Sequence, residues 1–273
     1  MASLTLHSSE PLDSPAVLPL ISYYPIPLAT PTPAIASSRV PPSKSTSSFR
    51  FFDLPAEIRL RIYEEVLVLP DTIDLDPKNV NRIVPRLAIF RVNRQAHEEA
   101  YRVFYGSNTF RLFPVHGRFF HTRHPLLSRL PARYRSAMTA LELRLGPGWT
   151  APPKCWAVTP RLGLSDLAAL RRLNIFIECD PASDAVFAGF RRSESFYTDF
   201  CRDLLLQVLL LVPALQVVHF DAWESIKRDS PLLTALVELS RGAGKSLTYG
   251  PHRAWSEQFG SLTDMMVDMM RLM

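Results

Sequence analysis

The sequence predicts a mixed α/β protein behind a disordered arm, and three observations carry that prediction. Composition changes abruptly near residue 50, two segments beyond it repeat apolar residues at helical spacing, and three later segments place leucines before short runs of large apolar residues. At 273 residues with 47% apolar content, the chain can bury a sizeable core.

The first fifty residues hold nine of the 24 prolines and eleven serines, without a sustained apolar period. Such a segment cannot offset its ordering entropy, so residues 1–49 are expected to be a disordered Pro/Ser-rich arm. Next comes FRFFDLPAEIRLRIYEEVL, in which Ile58, Ile62 and Val66 recur every fourth residue behind Asp53 and Pro55, predicting an amphipathic helix ended by Pro70. A loop, PDTIDLDPKNVNRIV, leads to a second predicted helix, PRLAIFRVNRQAHEEAYRVFYG, with Ile89, Val92, Ala96, Ala100 and Val103 on one face and Gly106 as its stop. NTFRLF then reads as a strand.

Beyond it, MTALELRLG, LAALRRLNIFIE and VPALQVVHFDA predict strands at Leu141–Leu145, Leu173–Ile177 and Leu215–Phe220, with helices between them such as Ser195–Leu211. Their spacing suits either strand-and-helix units stacked side by side over a parallel sheet or an ordinary α/β layer. SPLLTALVELSRG predicts a further helix, with Ser230 as N-cap, Pro231 in the first turn and Gly242 as the stop. The GAGKS that follows has the second half of a phosphate-binding loop, but Leu239 occupies the position of the first glycine and a helix stands where a strand should precede it. It is expected to be a glycine-rich helix exit.

Cys155, Cys179 and Cys201 are odd in number and lack ligand spacing, which excludes a disulfide framework and a structural zinc site as expectations. No Lys or Arg precedes Arg39, and the longest apolar run, from Leu204, is too short for a bilayer. The expected setting is therefore cytoplasmic or nuclear, with no membrane.

LPAEIRLRIYEEVL resembles the opening of an F-box: Leu54, Pro55, Glu57, Ile58, Leu60, Ile62 and Val66 fall on matching positions. LAIFRVNRQAHEEA resembles the later F-box segment, with Val92 and Arg94 matching. Ala96 stands where that segment has Trp, Arg59 replaces a common Leu, and the loop from Pro70 to Val84 lengthens the interval by about a dozen residues. Together these stretches, within Phe51–Phe110, look like the F-box-like proteins numerous in filamentous fungi. The resemblance implies a helical module at 50–110 that docks on the Skp-type adaptor of a cullin–RING ubiquitin ligase through Leu54, Pro55, Ile58 and Ile62. Residues 111–273, a short irregular leucine-rich-like α/β region, would then hold a substrate protein. Alternatively, Leu54, Ile58 and Ile62 pack inside the protein against Val92, Val103 and the first strand, giving a self-contained interaction module.

Residues 82–135 carry eleven Arg against Glu98 and Glu99, a formal +9 in a chain of +5. That concentration suits nucleic acid or an acidic protein if it shares a face, although no zinc finger, RNP motif or clear helix-turn-helix accompanies it. His116, His121 and His124 could converge on a metal, but Arg118 and Arg123 beside them would repel a cation. His219 and Asp221 share a strand face, yet no nucleophile setting surrounds them. The Met-rich DMMVDMMRLM suits the covering of a sheet end or an adaptable partner surface. The overall expectation is a non-enzymatic interaction protein that needs no cofactor or metal.

Overall fold

Five parallel strands lie side by side in chain order: β1 (Thr109–Arg111), β2 (Ala140–Leu145), β3 (Arg172–Ile177), β4 (Val217–Ala222) and β5 (Ser246–Tyr249). The computed structural model describes residues 49–74, 77–116, 120, 125–183, 187, 189 and 192–250. The expected disordered arm, save Phe49, and the Met-rich C-terminal stretch lie outside them. From Arg50 onward the chain forms one unit. The boundary expected at 110 falls inside β1, which pairs with β2.

Parallel neighbours need a crossover, and here each crossover brings its own helical piece. Short α4 (Leu126–Arg129) and α5 (Ala132–Arg135) precede β2, two 3₁₀ turns at 160–166 precede β3, α6 (Phe196–Leu211) precedes β4, and α7 (Pro231–Gly242) precedes β5. These pieces also touch in sequence, α5 against the 164–166 turn, that turn against α6, and α6 against α7. Strand residues alternate accordingly. Leu141, Leu143, Leu145, Leu173, Ile175, Ile177, Val218 and Phe220 are buried with Leu205, Val208 and Leu236 in a single core, while the intervening residues lie on the opposite face. Burial of one such side chain contributes about 1.5–3 kcal/mol.

The helical N-terminal part consists of α1 (Ala56–Leu67), α2 (Pro77–Ile83), a 3₁₀ turn (Arg86–Arg91) and α3 (Arg94–Ser107). Two expectations are corrected here. The core face of α1 is Arg59, Tyr63 and Leu67, one residue on from the expected stripe, so Ile58 and Val66 are exposed and Ile62 is half-buried. Arg59 is drawn inward because Glu99 of α3 takes its guanidinium in two bonds, Nη2–Oε1 at 2.7 Å and Nε–Oε2 at 3.0 Å. The second predicted helix is two pieces. Asn93 breaks it with an extended backbone, and its side chain accepts from the Ala96 amide at 2.8 Å as the N-cap of α3. Val92, left at the junction, is 63% exposed and not part of the core face. Of the intramolecular alternative, Val103 is buried and Leu54 and Ile62 are half-buried, whereas Ile58 and Val92 stay exposed.

An aromatic column joins this part to the sheet. Tyr105 of α3 stacks on Tyr134 of α5 at 4.9 Å between centroids and on Phe110 of β1 at 5.4 Å. Asn108 links the ends of α1 and α3 through its buried side chain.

Helix α7 shows how a cap can come from far away. Ser230 occupies the N-cap position, but its buried hydroxyl has no partner among the described residues; Asp180, from the loop after β3, accepts from the Leu232 amide at 2.9 Å through Oδ2 and from the Ala182 amide at 2.9 Å through Oδ1. Asp180→Ala is expected to lower the unfolding free energy by about 1–2 kcal/mol in urea titrations. Ser230→Ala should change it far less, and equal losses from the two would refute the assignment. GAGKS is indeed the exit of α7: Gly244 has φ of +69°, Lys245 donates to the Leu215 carbonyl at 2.8 Å, and Ser246 opens a strand where a phosphate-binding loop would open a helix.

Candidate functional site

A parallel sheet usually has helices on both faces. Here the face opposite the crossovers lines a groove of about 600 Å³. Its floor follows from register. Arg111, Glu142, Asn174, His219 and Thr248 form one row across β1 to β5, and Arg144, Phe176 and Asp221 form the next across β2 to β4. One wall is the long loop and α2, which contribute Asp71, Thr72, Asp74, Asn79 and Arg82. That wall is held by a parallel bridge from Ile73 to Phe110, with the Ile73 amide donating to the Thr109 carbonyl at 2.8 Å and the Arg111 amide to the Ile73 carbonyl at 2.8 Å. The loop after α1 is thus built into the groove.

Charge on the floor is organised in pairs. Arg111, 8% exposed, is bound by Asp74 and by Glu142, the latter at 2.8 Å, and Thr72 donates to the other oxygen of Glu142. Arg144 pairs with Glu178 and lies 4.9 Å over the ring of Phe176, whose other close neighbour is Trp223, edge-on at 5.3 Å. His219 bonds through Nδ1 to the Thr248 hydroxyl at 2.9 Å. Burial, with Arg172 nearby, holds its imidazole below the ordinary value against the pull of Asp221. His219 and Asp221 do share a face, as period two requires, and that face is the open one.

The four expected docking residues lie away from the groove, on and before α1. Ile58 is 44% exposed, Pro55 is exposed, and Leu54 and Ile62 are half-buried. Val66 continues their line at the far end of the helix. Within the Arg-rich segment, Arg82 pairs with Asp71, Arg111 with Asp74 and Glu142, Arg133 with Glu98 and Arg135 with Asp166, while Arg86 donates to the Val66 carbonyl. Of the three expected metal-candidate histidines only His116 lies among the described residues, and no group of three metal-ligating side chains occurs among them. All three cysteines are free, and burial pushes each thiol up, Cys179 to about 11 with Glu178 and Asp180 adding to it. Such thiols supply little thiolate at neutral pH.

Glu142, Asn174, Phe176 and Arg111 were not singled out by sequence reasoning. A signal existed: in LELRL, LNIFI and VHFDA the second residue of each run is polar, and Glu142, Asn174 and His219 indeed stand in register. No known family model, curated protein or solved structure matches this chain. No helix among the described residues is long and apolar enough to cross a membrane.

Proposed function

We propose that the chain is a non-enzymatic interaction protein with two separate surfaces, an apolar ridge on α1 that docks on a Skp-type adaptor and a sheet groove that holds a substrate protein. The observation that carries the first is the exposure of Ile58 and Val66, 44% and 37%, beside half-buried Ile62 on a helix whose core face is already complete. Apolar residues at four-residue spacing along one flank suit a partner helix or groove. They coincide with the positions that resemble an F-box opening. The second surface rests on parallel units in chain order with one face open, the way leucine-rich-like arrays present a binding sheet.

Pull-down of the cognate adaptor by the full chain tests the docking ridge. Wild type is expected to capture it, and Ile58→Asp to lose at least about tenfold in capture with an unchanged melting temperature, because an exposed side chain is altered. A well-folded wild type that captures nothing would refute the adaptor and leave a self-contained interaction module.

A further inference from the structure

On the crossover side of the sheet, the apolar rows run into a half-covered end. Leu141, Leu173 and Val218 are buried and stand in register with Leu247, and Leu143, Ile175 and Phe220 do the same with Tyr249. Leu247 and Tyr249 themselves are only half-buried. The order of elements gives the reason. Each of β1 to β4 has a helical piece before and after it in the chain, whereas β5 has α7 before it and the described residues stop at Gly250. An apolar flank at the end of a stacked array calls for a covering element with a polar outer side.

The sequence after Gly250 carries the pattern of such an element in SLTDMMVDMMRLM, from Ser261. Leu262, Met265, Met266, Met269, Met270 and Met273 recur at helical steps of three and four, and Asp264, Asp268 and Arg271 fall on the opposite side of that helix. Ser261, with Asp264 three places on, has the form of a capping box. Twelve residues from Leu262 make about 18 Å of helix, matching the twelve of α7. The ten residues between Gly250 and Ser261 reach about 30 Å when extended, more than the roughly 13 Å of β5 that they must span. Polarity decides between the two sides of β5. One side shows Ser246 and Thr248, the latter bonded to His219, with the charged groove floor beyond them. The other shows Leu247 and Tyr249, an irregular apolar flank that flexible thioethers can fill.

We propose that residues 262–273 lie as a helix along the crossover side of β5, beside α7, with the methionine stripe over Leu247 and Tyr249. The groove face then stays clear of this segment and is left to a partner protein. The proposal depends neither on adaptor docking nor on what the groove holds.

The test isotopically labels the methionine methyl groups of the full chain and reads their nuclear Overhauser contacts by NMR. Contacts from Met265, Met266 or Met269 to the Tyr249 ring and the Leu247 methyl groups are expected, unchanged on dilution. Met266→Asp with Met269→Asp should abolish them while the contact between the Phe220 and Tyr249 rings persists. Asp268→Ala with Arg271→Ala, on the outer side, should leave them in place. Stripe methyl groups without contacts to β5 would overturn the proposal, as would contacts to Phe176 in the groove or to Leu206 and Leu210, exposed on α6. Contacts seen only between differently labelled chains in a mixed sample would overturn it too, by giving the stripe to a second copy. Met266→Asp with Met269→Asp should leave adaptor capture unchanged, so failure of one proposal is distinguishable from failure of the other.

Discussion

Asn108→Ala is expected to lower the unfolding free energy by about 3–5 kcal/mol, because a buried side chain there serves three backbone groups at about 1–3 kcal/mol each. Its oxygen accepts from the Leu69 amide at 2.8 Å, and its nitrogen donates to the Leu67 carbonyl at 2.9 Å and the Phe104 carbonyl at 2.8 Å. At 1% exposure no water can take over these bonds. The residue therefore fastens the end of α1 to the end of α3, and it stands immediately before β1, so its loss loosens both the helical part and the sheet edge. Urea denaturation gives the number directly. Asn108→Asp should be nearly as damaging, since it keeps the acceptor but turns an oxygen towards two carbonyl oxygens. A loss below about 1 kcal/mol for Asn108→Ala would mean that the three groups find other partners, contrary to the burial.

Glu99→Ala is expected to cost about 3 kcal/mol at neutral pH, by leaving the Arg59 guanidinium buried without its carboxylate. The Arg59 side chain is 10% exposed and that of Glu99 22%, so the pair is shielded more than a surface bridge. Arg59 keeps its bonds to the carbonyls of Leu54 and Phe52, which is why the loss should stop short of the fully unpaired limit. The pair also predicts a pH dependence with a definite sign. Hydrogen bonding to Arg59, opposed by burial and reinforced by Gln95, lowers the Glu99 carboxyl from 4.5 to about 2. An unfolded chain thus takes up that proton at higher pH than the folded one does. The stabilisation is complete above about pH 4.5 and is lost as pH falls towards about 2. Between those limits wild-type stability should fall more steeply than that of Glu99→Gln, measured by urea titrations in matched buffers. Parallel curves would remove Glu99 from the acid response.

Much of the architecture was legible because the sheet's buried face leaves a local trace. Leu141, Leu143 and Leu145 alternate with half-buried residues, and the same period runs through β3 and most of β4, so strands predicted at 141–145, 173–177 and 215–220 correspond to β2, β3 and β4 within two residues. β5 escaped notice because SLTY, at the sheet edge, has no fully buried residue to mark it. α2 escaped because a seven-residue helix within a polar loop shows too few turns for a period to register. The candidate sites divide in the same way. Ile58 and Ile62 stood out by spacing, and His219 with Asp221 by alternation, whereas Glu142, Asn174 and Arg111 became a row only when strands far apart in sequence came into register.

By itself, then, the sequence determined whatever depends on neighbours along the chain: the Pro- and Ser-rich composition of the first fifty residues, the strand period, the helical spacing, and the glycine exit of α7. Only the tertiary structure decided what depends on partners across it. Ile58, Ile62 and Val66 repeat as regularly as a core stripe, yet the core took Arg59, Tyr63 and Leu67, because Glu99 forty residues away makes a buried guanidinium acceptable and rotates the helix by one position. Ser230 has the residue type and place of a cap, yet Asp180 holds the bond from fifty-two residues away. Period and propensity are short-range, but a charge, a cap or a row of a sheet is completed by whichever group the fold brings near.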